Sequence, residues 1–235
     1  MNIALVLSGG EGTRMGAELP KQYCTIAGKP VIVHTLEQFE QFDEVSTVII
    51  VASPEWEARI WEWKAAYFIS KVQAVASAGS NRQLSIRNGL LAAESFMKGR
   101  QGGVIVQDAA RPLTSQELLT RLIQGLQAAP AVMPVLPVTD TTYTSRDGEW
   151  VDGLLDRNLL FSGQAPEAFH YQPYLELYRQ ASAEAFAATS GSCQLPYNKG
   201  WNVKMIPGDP GNLKITYPGD LEICERKLLE RKRPV

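Results

Sequence analysis

The glycine-rich stretch Leu5–Lys21 contains the residue types and spacing that point most directly to chemistry. The apolar run Ile3–Leu7 has the length of a buried strand, and a turn of small residues follows it directly. Glycine lets a backbone approach a ligand closely, and the free N–H groups of such a turn can point at phosphate oxygens. Two cations, Arg14 and Lys21, follow the glycines. The stretch therefore predicts a site for the phosphates of a nucleotide.

Two common phosphate-binding motifs do not fit this stretch. A P-loop would close with Gly-Lys-Ser/Thr, and a dinucleotide fingerprint would begin a helix where Arg14 stands. A dinucleotide-binding oxidoreductase would also need an acidic residue after the second predicted strand, where Ala52, Ser53 and Pro54 stand instead. The sequence therefore disfavours an oxidoreductase.

Polar side chains also follow two later predicted strands. Asp108 comes directly after the apolar run Gly103–Gln107, and Arg82 and Ser85 lie where a helix is predicted to begin. Ligands of open α/β sheets bind at the carboxyl ends of the strands. A carboxylate there suits Mg²⁺, which prefers oxygen ligands and accompanies nucleotide phosphates. A helix cap at Asp108 and a capped helix with exposed arginines are the alternative interpretations.

Apolar runs alternate with helix-spaced segments and predict the elements that position these groups. The predicted strands are Ile3–Leu7, Ser46–Ala52, Val72–Ala76, Gly103–Gln107, Ala131–Val138 and Val203–Pro207. The predicted helices are Lys29–Phe39, Glu55–Phe68, a segment from Gln83, Thr114–Ala129, Pro173–Ala188 and Pro218–Arg233. Continuous β-branched runs are typical of buried parallel strands in an α/β fold. Two prolines make Ala131–Val138 an edge or irregular strand, and the tryptophans of Glu55–Phe68 predict core or subunit packing.

Composition limits the classes of protein that fit. The 235 residues, 45% of them apolar, suffice for one α/β domain over residues 1–235. A net charge of −2 gives no electrostatic case for a nucleic acid or membrane partner. Three cysteines without paired spacing suit a reducing cytosol, and no apolar run is long enough to span a bilayer. We therefore expect a cytoplasmic protein.

Residues 139–161 differ in character from the rest of the chain. Thr141–Ser145 and Trp150–Leu155 can pair across a turn that contains Asp147 and Gly148, which is a hairpin signal. Isolated hairpins are marginally stable in water. This segment, which we call the arm, therefore needs a partner.

Several motifs together are far more specific than a glycine-rich loop. They are G-G-x-G-T-R-M-G with P-K-Q, G-S-N-R-Q-L-S-I-R-N-G-L, D-A-A-R-P, S-G-Q-A-P-E-A-F and N-L-K-I-T. The set resembles the pyrophosphorylase-like nucleotidyltransferases, and most closely the cytidylyltransferases that act on methylerythritol 4-phosphate or ribitol 5-phosphate. This resemblance implies a doubly wound, mostly parallel, Rossmann-like sheet with a protruding β-hairpin arm. It also implies CTP and a sugar-alcohol phosphate as substrates, Mg²⁺ or another divalent cation, and a homodimer held by the arm.

The resemblance also implies roles for individual residues. Catalytic roles fall to Arg14, Lys21 and Lys214. Nucleotide contacts fall to Leu7, Ser8, Gly9, Gly10, Gly12, Thr13, Gly79, Ser80, Arg82, Ser85, Asp108 and Ala109. Acceptor contacts fall to Asp108, Arg111, Thr141, Arg157, Ala165, Ser190 and Lys214, with Arg157 reaching across the dimer. The predicted metal ligands are Asp108 and Asn212.

The implied reaction is attack by the acceptor's phosphate oxygen on the α-phosphorus of CTP, with release of pyrophosphate. Ribitol 5-phosphate is the favoured acceptor, because GKPVIVHT, SPEW and the GQ of SGQAPEAF are closer to that branch. Methylerythritol 4-phosphate, from isoprenoid precursor synthesis, is the alternative. Two departures fall on the acceptor side: Ala165 stands in x-G-Q-T-P-Q-x-F where the family usually has threonine, and the acidic T-D-x-A is missing around Ser190. A nucleotide-binding regulatory protein without turnover is therefore a further interpretation.

Overall fold

The computed structural model describes residues 1–10 and 19–231. The strands are β1 (Asn2–Leu7), β2 (Thr25–Ile26), β3 (Lys29–Pro30), β4 (Val45–Ala52), β5 (Val72–Ser77), β6 (Gly103–Asp108), β7 (Ala131–Pro137), β8 (Tyr143–Thr144), β9 (Gly153–Leu154), β10 (Phe161–Gly163), β11 (Glu167–His170) and β12 (Val203–Pro207). The helices are α1 (Val31–Glu40), α2 (Glu57–Ala66), α3 (Arg82–Met97), α4 (Gln116–Gly125), α5 (Tyr171–Gln180), α6 (Ala183–Ala187), α7 (Gln194–Asn198) and α8 (Pro218–Arg231). Short 3-10 turns cover Lys21–Tyr23, Pro54–Trp56 and Arg157–Leu159.

The central sheet runs in the order β10-β7-β11-β6-β1-β4-β5, with β12 paired to β7. β1 has parallel neighbours on both sides, β4 and β6, and β5 continues parallel to β4. β10 and β11 run antiparallel to their neighbours, whereas β12 runs parallel to β7. The predicted α/β fold with a mostly parallel sheet is confirmed, and β1 delivers the glycine-rich turn from the parallel part of the sheet.

Helices cover both faces of the sheet, because successive side chains of a strand point to opposite sides. Ala4 and Val6 of β1 pack into a cluster with α1, α2 and α4. Ile3 and Leu5 pack into a second cluster with α3 and α5. All four side chains are fully buried, which is why this strand has a continuous apolar run instead of an alternating one. The doubly wound arrangement is confirmed.

Of the two predicted possibilities for β7, an edge strand or an irregular strand, the structure shows the irregular strand. β12 pairs along one side of it. On the other side its partner changes from β11, opposite Val132, to β10, opposite Val135. Pro134 lies at this change, where its carbonyl accepts the Gln164 N–H at 2.8 Å. A strand interrupted in this way can include a residue that has no N–H to donate.

One predicted helix is divided in the structure, and another begins later than predicted because a short strand precedes it. The segment 173–188 falls in two helices, because Ser182 accepts a hydrogen bond from the Ala185 N–H at 3.3 Å and caps α6 separately from α5. Lys29 and Pro30 form β3 against β2, so α1 begins at Val31. Within the described residues, no helix has both the length and the apolar character needed to cross a bilayer.

The tryptophans around α2 pack against the core, as predicted. Trp56, Trp61 and Trp63 are partly buried against the cluster that contains α1. Trp56 also stacks on Tyr23, with a ring-centroid separation of 3.9 Å. This stack connects the 3-10 turn that precedes α2 with the 3-10 turn that carries Lys21.

The arm forms a hairpin that is shorter than predicted. Tyr143–Thr144 pairs antiparallel with Gly153–Leu154. Asp147 accepts backbone N–H groups from the two residues that follow the Asp-Gly step, which closes the turn. Trp150 is 74% exposed and Leu154 is 66% exposed. The arm therefore presents large apolar side chains that no other part of the described chain covers.

Candidate active site

A cleft of about 750 Å³ opens where the parallel strands end. The loops after β1, β4, β5 and β6 form its walls, together with residues that follow β12. The predicted site residues that line it are Leu7, Gly9, Gly10, Lys21, Gly79, Ser80, Arg82, Ser85, Asp108 and Lys214. Gly12, Thr13 and Arg14 lie outside the described residues. The sheet thus collects in one place residues that the sequence distributes over more than two hundred positions.

The turn after β1 is held from below by two side chains that sequence reasoning did not assign. Gln22 donates from its amide to the carbonyls of both Ser8 and Gly10 at 2.8 Å. The buried Ser8 hydroxyl donates to the Tyr23 hydroxyl at 2.9 Å. Because a trans peptide directs its N–H opposite to its C=O, a pinned Ser8 carbonyl turns the Gly9 N–H away from Gln22. The P-K-Q motif was the available signal for this support.

The position of Gly9 permits no side chain. A Cβ there would lie 2.4 Å from the Ala78 Cβ, so the turn after β1 and the turn after β5 pass in direct contact.

Burial raises the pKa of the Tyr23 hydroxyl to about 12, so this group is a neutral donor and acceptor at physiological pH. Stacking on Trp56 braces the ring. The result is a rigid base from which Lys21 enters the cleft wall.

The helix α3 begins in the cleft wall through a compact cap. Asn81 accepts the Leu84 N–H at 2.9 Å. Ser85 accepts the Gly79 N–H and donates to the Asn81 carbonyl, each at 3.0 Å. A Cβ on Gly79 would lie 2.3 Å from the Leu84 Cβ, so glycine is required for this approach. The helix begins at Arg82, one residue before the predicted start at Gln83.

Asp108 is the centre of charge in the cleft. It is 7% exposed, and it lies 2.6 Å from Arg82, 2.9 Å from Lys214 and 3.5 Å from Arg111. Burial raises the pKa of this carboxyl, but the three cations outweigh that effect and hold it well below its ordinary value. The same carboxylate raises the pKa of Arg82 despite the burial of the guanidinium. Asp108 is therefore ionised, and Arg82 is protonated.

A second buried carboxylate, Glu167, lies beside this group and was missed from the sequence. Its Oε2 is 4.0 Å from Arg82 Nη2, and its Oε1 accepts the Cys193 N–H at 3.2 Å. Burial raises the pKa of Glu167. A signal was present, because the pattern x-G-Q-T-P-Q-x-F has glutamine where Glu167 stands.

Asn212 supports the site from below and does not face the cleft. It is 1% exposed; its amide donates to the Ala165 carbonyl at 2.8 Å, and its Oδ1 accepts from Thr114 at 3.1 Å. Arg111 donates to the Asn212 carbonyl at 2.8 Å. These bonds argue against the predicted metal role of Asn212. Across the described residues, no three His, Cys, Asp or Glu side chains are grouped so that they could hold a metal ion.

Several predicted acceptor residues do not line this cleft of the single chain. Arg157 donates to the Thr139 carbonyl at 3.0 Å at the base of the arm. Thr141 also belongs to the arm. Ser190 bonds to the Gln194 side chain. Ala165 is buried, and neither it nor Arg111 lines the cleft; two predicted nucleotide contacts, Ser8 and Ala109, are also buried outside the lining. The cleft of one chain therefore collects the predicted nucleotide side more completely than the predicted acceptor side.

A glycine-rich turn at the end of a central parallel strand, cations around one buried carboxylate and a projecting hairpin together define a Rossmann-like nucleotidyltransferase. The model of the 2-C-methyl-D-erythritol 4-phosphate cytidylyltransferase family matches residues 2–230, and the chain belongs to that family. It is a cytidylyltransferase, as the resemblance of its motifs implied.

Relatives and solved structures agree with this assignment. The chain is 36% identical over 225 residues to a 2-C-methyl-D-erythritol 4-phosphate cytidylyltransferase of Cereibacter sphaeroides, covering 96% of each chain. It is 31% identical over 224 residues to a ribitol-5-phosphate cytidylyltransferase of Vibrio parahaemolyticus, covering 95% of this chain and 94% of the relative. A crystal structure of 2-C-methyl-D-erythritol 4-phosphate cytidylyltransferase from Thermus thermophilus superimposes with a TM-score of 0.77 at 25% identity, over 97% of this chain and all of that one.

Proposed function

We propose that this cytidylyltransferase transfers CMP from CTP to 2-C-methyl-D-erythritol 4-phosphate and releases pyrophosphate. The choice of acceptor departs from the preference for ribitol 5-phosphate that the sequence motifs favoured. The observation that supports this choice is the difference in sequence identity between two kinds of relative. Relatives named 2-C-methyl-D-erythritol 4-phosphate cytidylyltransferase are 35–36% identical to this chain, whereas the relative named ribitol-5-phosphate cytidylyltransferase is 31% identical. The charges of the cleft suit either acceptor, since both bring a phosphate.

The triphosphate of CTP binds along the turn after β1 in this proposal. Backbone N–H groups at Gly9 and Gly10 face phosphate oxygens, and Lys21 neutralises charge that grows on the leaving pyrophosphate. The motif assigns the same role to Arg14, which lies outside the described residues. The turns at Gly79 and at Ser80 hold the nucleoside end, with Asn81 fixing the start of α3. Catalysis consists of positioning and charge stabilisation, so no covalent intermediate is required.

The acceptor's phosphate supplies the nucleophile. A phosphomonoester has its second pKa at about 6, so it is largely ionised near neutrality and needs no general base. Lys214 lies within 2.9 Å of Asp108 and is 38% exposed at its side chain, so it can turn from that carboxylate to an incoming phosphate. Attack on the α-phosphorus in line with the leaving pyrophosphate then forms the new phosphoanhydride.

The residues present fit a magnesium ion that arrives with the nucleotide. Mg²⁺ is commonly held by one or two carboxylates, substrate phosphates and water, and Asp108 is the acidic side chain among the described residues of the cleft. A bound Mg²⁺ would supply charge neutralisation at the phosphates. The role proposed for Asn212 is support of Ala165 and Arg111 rather than direct binding of the metal.

A second copy of the chain completes the acceptor site in this proposal. The arm exposes Trp150 and Leu154, and Arg157 lies at its base. Docked on a partner, the arm would bury these apolar side chains and bring Arg157 toward the acceptor phosphate of the neighbouring subunit. This arrangement accounts for an acceptor side that is incomplete in one chain.

Ribitol 5-phosphate is the second candidate, because two observations on the acceptor side favour a change of specificity. Ala165 brings no hydroxyl to the wall behind Asn212, and a hydrogen bond of this kind contributes about 0.5–1.5 kcal/mol. Ser190, which stands nearest the threonine of the family's T-D-x-A, pairs with Gln194, and the acidic residue of that element is missing. A site that loses polar partners discriminates less strongly between related acceptors.

Pyrophosphate release from CTP and Mg²⁺ tests the proposal, with each acceptor measured in parallel. We expect kcat/KM for 2-C-methyl-D-erythritol 4-phosphate to exceed that for ribitol 5-phosphate by about tenfold or more. Lys21→Ala is the catalytic control and should lose on the order of 10²-fold in kcat at an unchanged unfolding temperature. A higher kcat/KM for ribitol 5-phosphate would make ribitol 5-phosphate the acceptor. Binding of CTP without turnover of either acceptor would favour a regulatory protein.

A further inference from the structure

Both terminal nitrogens of the Arg82 guanidinium have partners. Nη1 donates to Asp108 Oδ1 at 2.6 Å. Nη2 donates to Ser192 Oγ at 3.1 Å and lies 4.0 Å from Glu167 Oε2. A guanidinium is planar and rigid, so partners at both ends determine its orientation as well as its distance from Asp108. Ser192 and Glu167 are therefore part of what places Arg82 in the cleft wall.

Glu167 places a buried carboxyl group between Arg82 and the segment that carries Ser192 and Cys193. It is 7% exposed, and its Oε1 accepts the Cys193 N–H at 3.2 Å. A glutamine can accept the same bond through its amide oxygen without burying a charge. Among the described residues, the cation within ion-pair distance of Glu167 is Arg82. The carboxyl group of Glu167 is therefore directed at Arg82.

The segment that carries Ser192 is itself held firmly. The Tyr174 hydroxyl donates to the Ser192 carbonyl at 3.1 Å. The Gln83 amide donates to the carbonyls of Thr189 and Gly191 at 3.3 and 3.2 Å. Ser192 is fully buried. The hydroxyl thus offers Arg82 Nη2 an acceptor at a defined place.

We propose that Glu167 is a positioning residue that, with Ser192, keeps Arg82 turned across the cleft instead of closing on Asp108 through both nitrogens. An arginine and a carboxylate otherwise favour two parallel hydrogen bonds, which would occupy both Asp108 oxygens. With Nη2 held elsewhere, Asp108 Oδ2 faces Lys214 at 2.9 Å, and Arg82 forms part of the cleft surface. The inference deepens the proposed role of Arg82 in nucleotide binding and rests on it.

The test is a double-mutant cycle on CTP affinity, measured by calorimetry with Mg²⁺ and without any acceptor. The proteins are wild type, Glu167→Gln, Arg82→Ala and the double variant. We expect Glu167→Gln to weaken CTP binding about fivefold in the wild-type background and less than about twofold in the Arg82→Ala background. Steady-state rates should show a KM for CTP that rises more than the KM for the acceptor.

Two further variants make the result specific. Glu94→Gln removes the carboxylate of a surface pair with Arg179, 2.5 Å apart, and should leave CTP affinity unchanged. Ser192→Ala removes the other partner of Nη2 and should weaken CTP binding about two- to threefold; it serves as the reporting variant if Glu167→Gln does not fold.

The outcomes separate this proposal from the proposed function. Equal losses in both backgrounds, unchanged affinity, or tighter CTP binding through removal of a negative charge would each overturn the positioning role while leaving CTP as the substrate. A wild-type protein that fails to bind CTP would overturn both. Because no acceptor is present, a wrong choice of acceptor does not affect the result.

Discussion

Asp108 owes its ionised state to its neighbours rather than to solvent. Burial raises its pKa, and Arg82, Lys214 and Arg111 lower it by a larger amount. The same three cations would repel one another without it, since all lie within 3.5 Å of its oxygens. One carboxylate therefore holds the cation cluster together.

The substitution Asp108→Asn should lower both stability and activity. Removing one partner of a buried ion pair leaves uncompensated charge and costs about 3–5 kcal/mol of unfolding free energy. Cytidylyl transfer should fall on the order of 10²-fold or more. Urea unfolding at pH 7 and pyrophosphate release measure the two effects. The control is Glu62→Gln in the exposed pair with Arg59, which should cost less than about 1 kcal/mol.

The difference in unfolding free energy between wild type and Asp108→Asn should become smaller as the pH falls into the acidic range. The pKa of Asp108 is lower in the folded state than in the unfolded state. Its contribution is therefore complete above the unfolded value of about 3.9 and is lost as the pH falls below it. Urea unfolding of both proteins should give a constant difference from pH 8 to about pH 5 that narrows below about pH 4. Narrowing between pH 8 and pH 6 would contradict this assignment.

At the scale of elements, the start of α3 contributes both to the stability of the helix and to the wall of the cleft. Asn81 caps the helix and lines the cleft, and Gly79 allows the preceding turn to lie against Leu84. The helix α4 has a similar cap at Ser115, which accepts the Leu118 N–H at 3.3 Å. Ser115 is not among the residues that line the cleft. The two caps therefore form a matched pair.

We expect Asn81→Ala and Ser115→Ala to destabilise the protein by similar amounts, about 1 kcal/mol each. Loss of the Asn81 cap also loosens the turn that borders the nucleotide, so this variant alone should raise the KM for CTP. Thermal unfolding and steady-state kinetics of both variants provide the measurement. An equal rise of KM in Ser115→Ala would show that general loss of stability, rather than the cleft, causes the effect.

At the scale of the whole molecule, the arm presents apolar surface that one chain does not cover. Trp150 is 74% exposed, Leu154 is 66% exposed, and Leu159 beyond them is 76% exposed. Contiguous exposed apolar surface is a mark of a protein interface. Arg157 lies within the same segment, so assembly and acceptor binding would be linked through the arm.

Mixing two variants tests whether Arg157 acts in a neighbouring subunit. Lys21→Ala and Arg157→Ala should each be strongly impaired alone, the second chiefly through the KM for the acceptor. In an equal mixture of exchanging dimers, one site of each mixed dimer has Lys21 from its own chain and Arg157 from the partner. Activity should then recover to about a quarter of the wild-type value. No recovery, with mixed dimers shown by native mass spectrometry, would place Arg157 in the site of its own chain.

Local patterns in the sequence were sufficient for the order and type of most elements, and for many of the residues that line the cleft. The continuous apolar run of β1 and the glycines that follow it act over a few residues, so β1, the Gly79 turn and the Ser115 cap were predictable. The relation of the chain to cytidylyltransferases was likewise evident from its motifs, and the family match confirms it.

The tertiary structure alone decided where the charges meet. Arg82 and Ser192 are 110 positions apart, and Glu167 reaches them only because β11 runs antiparallel beside β6. The sheet order also surrounded β7 with partners despite its prolines, and it buried Asn212 beneath Ala165 instead of turning it to the cleft. Residue types along a chain report local backbone preferences, whereas the energy of a buried charge depends on neighbours that only the folded sheet supplies.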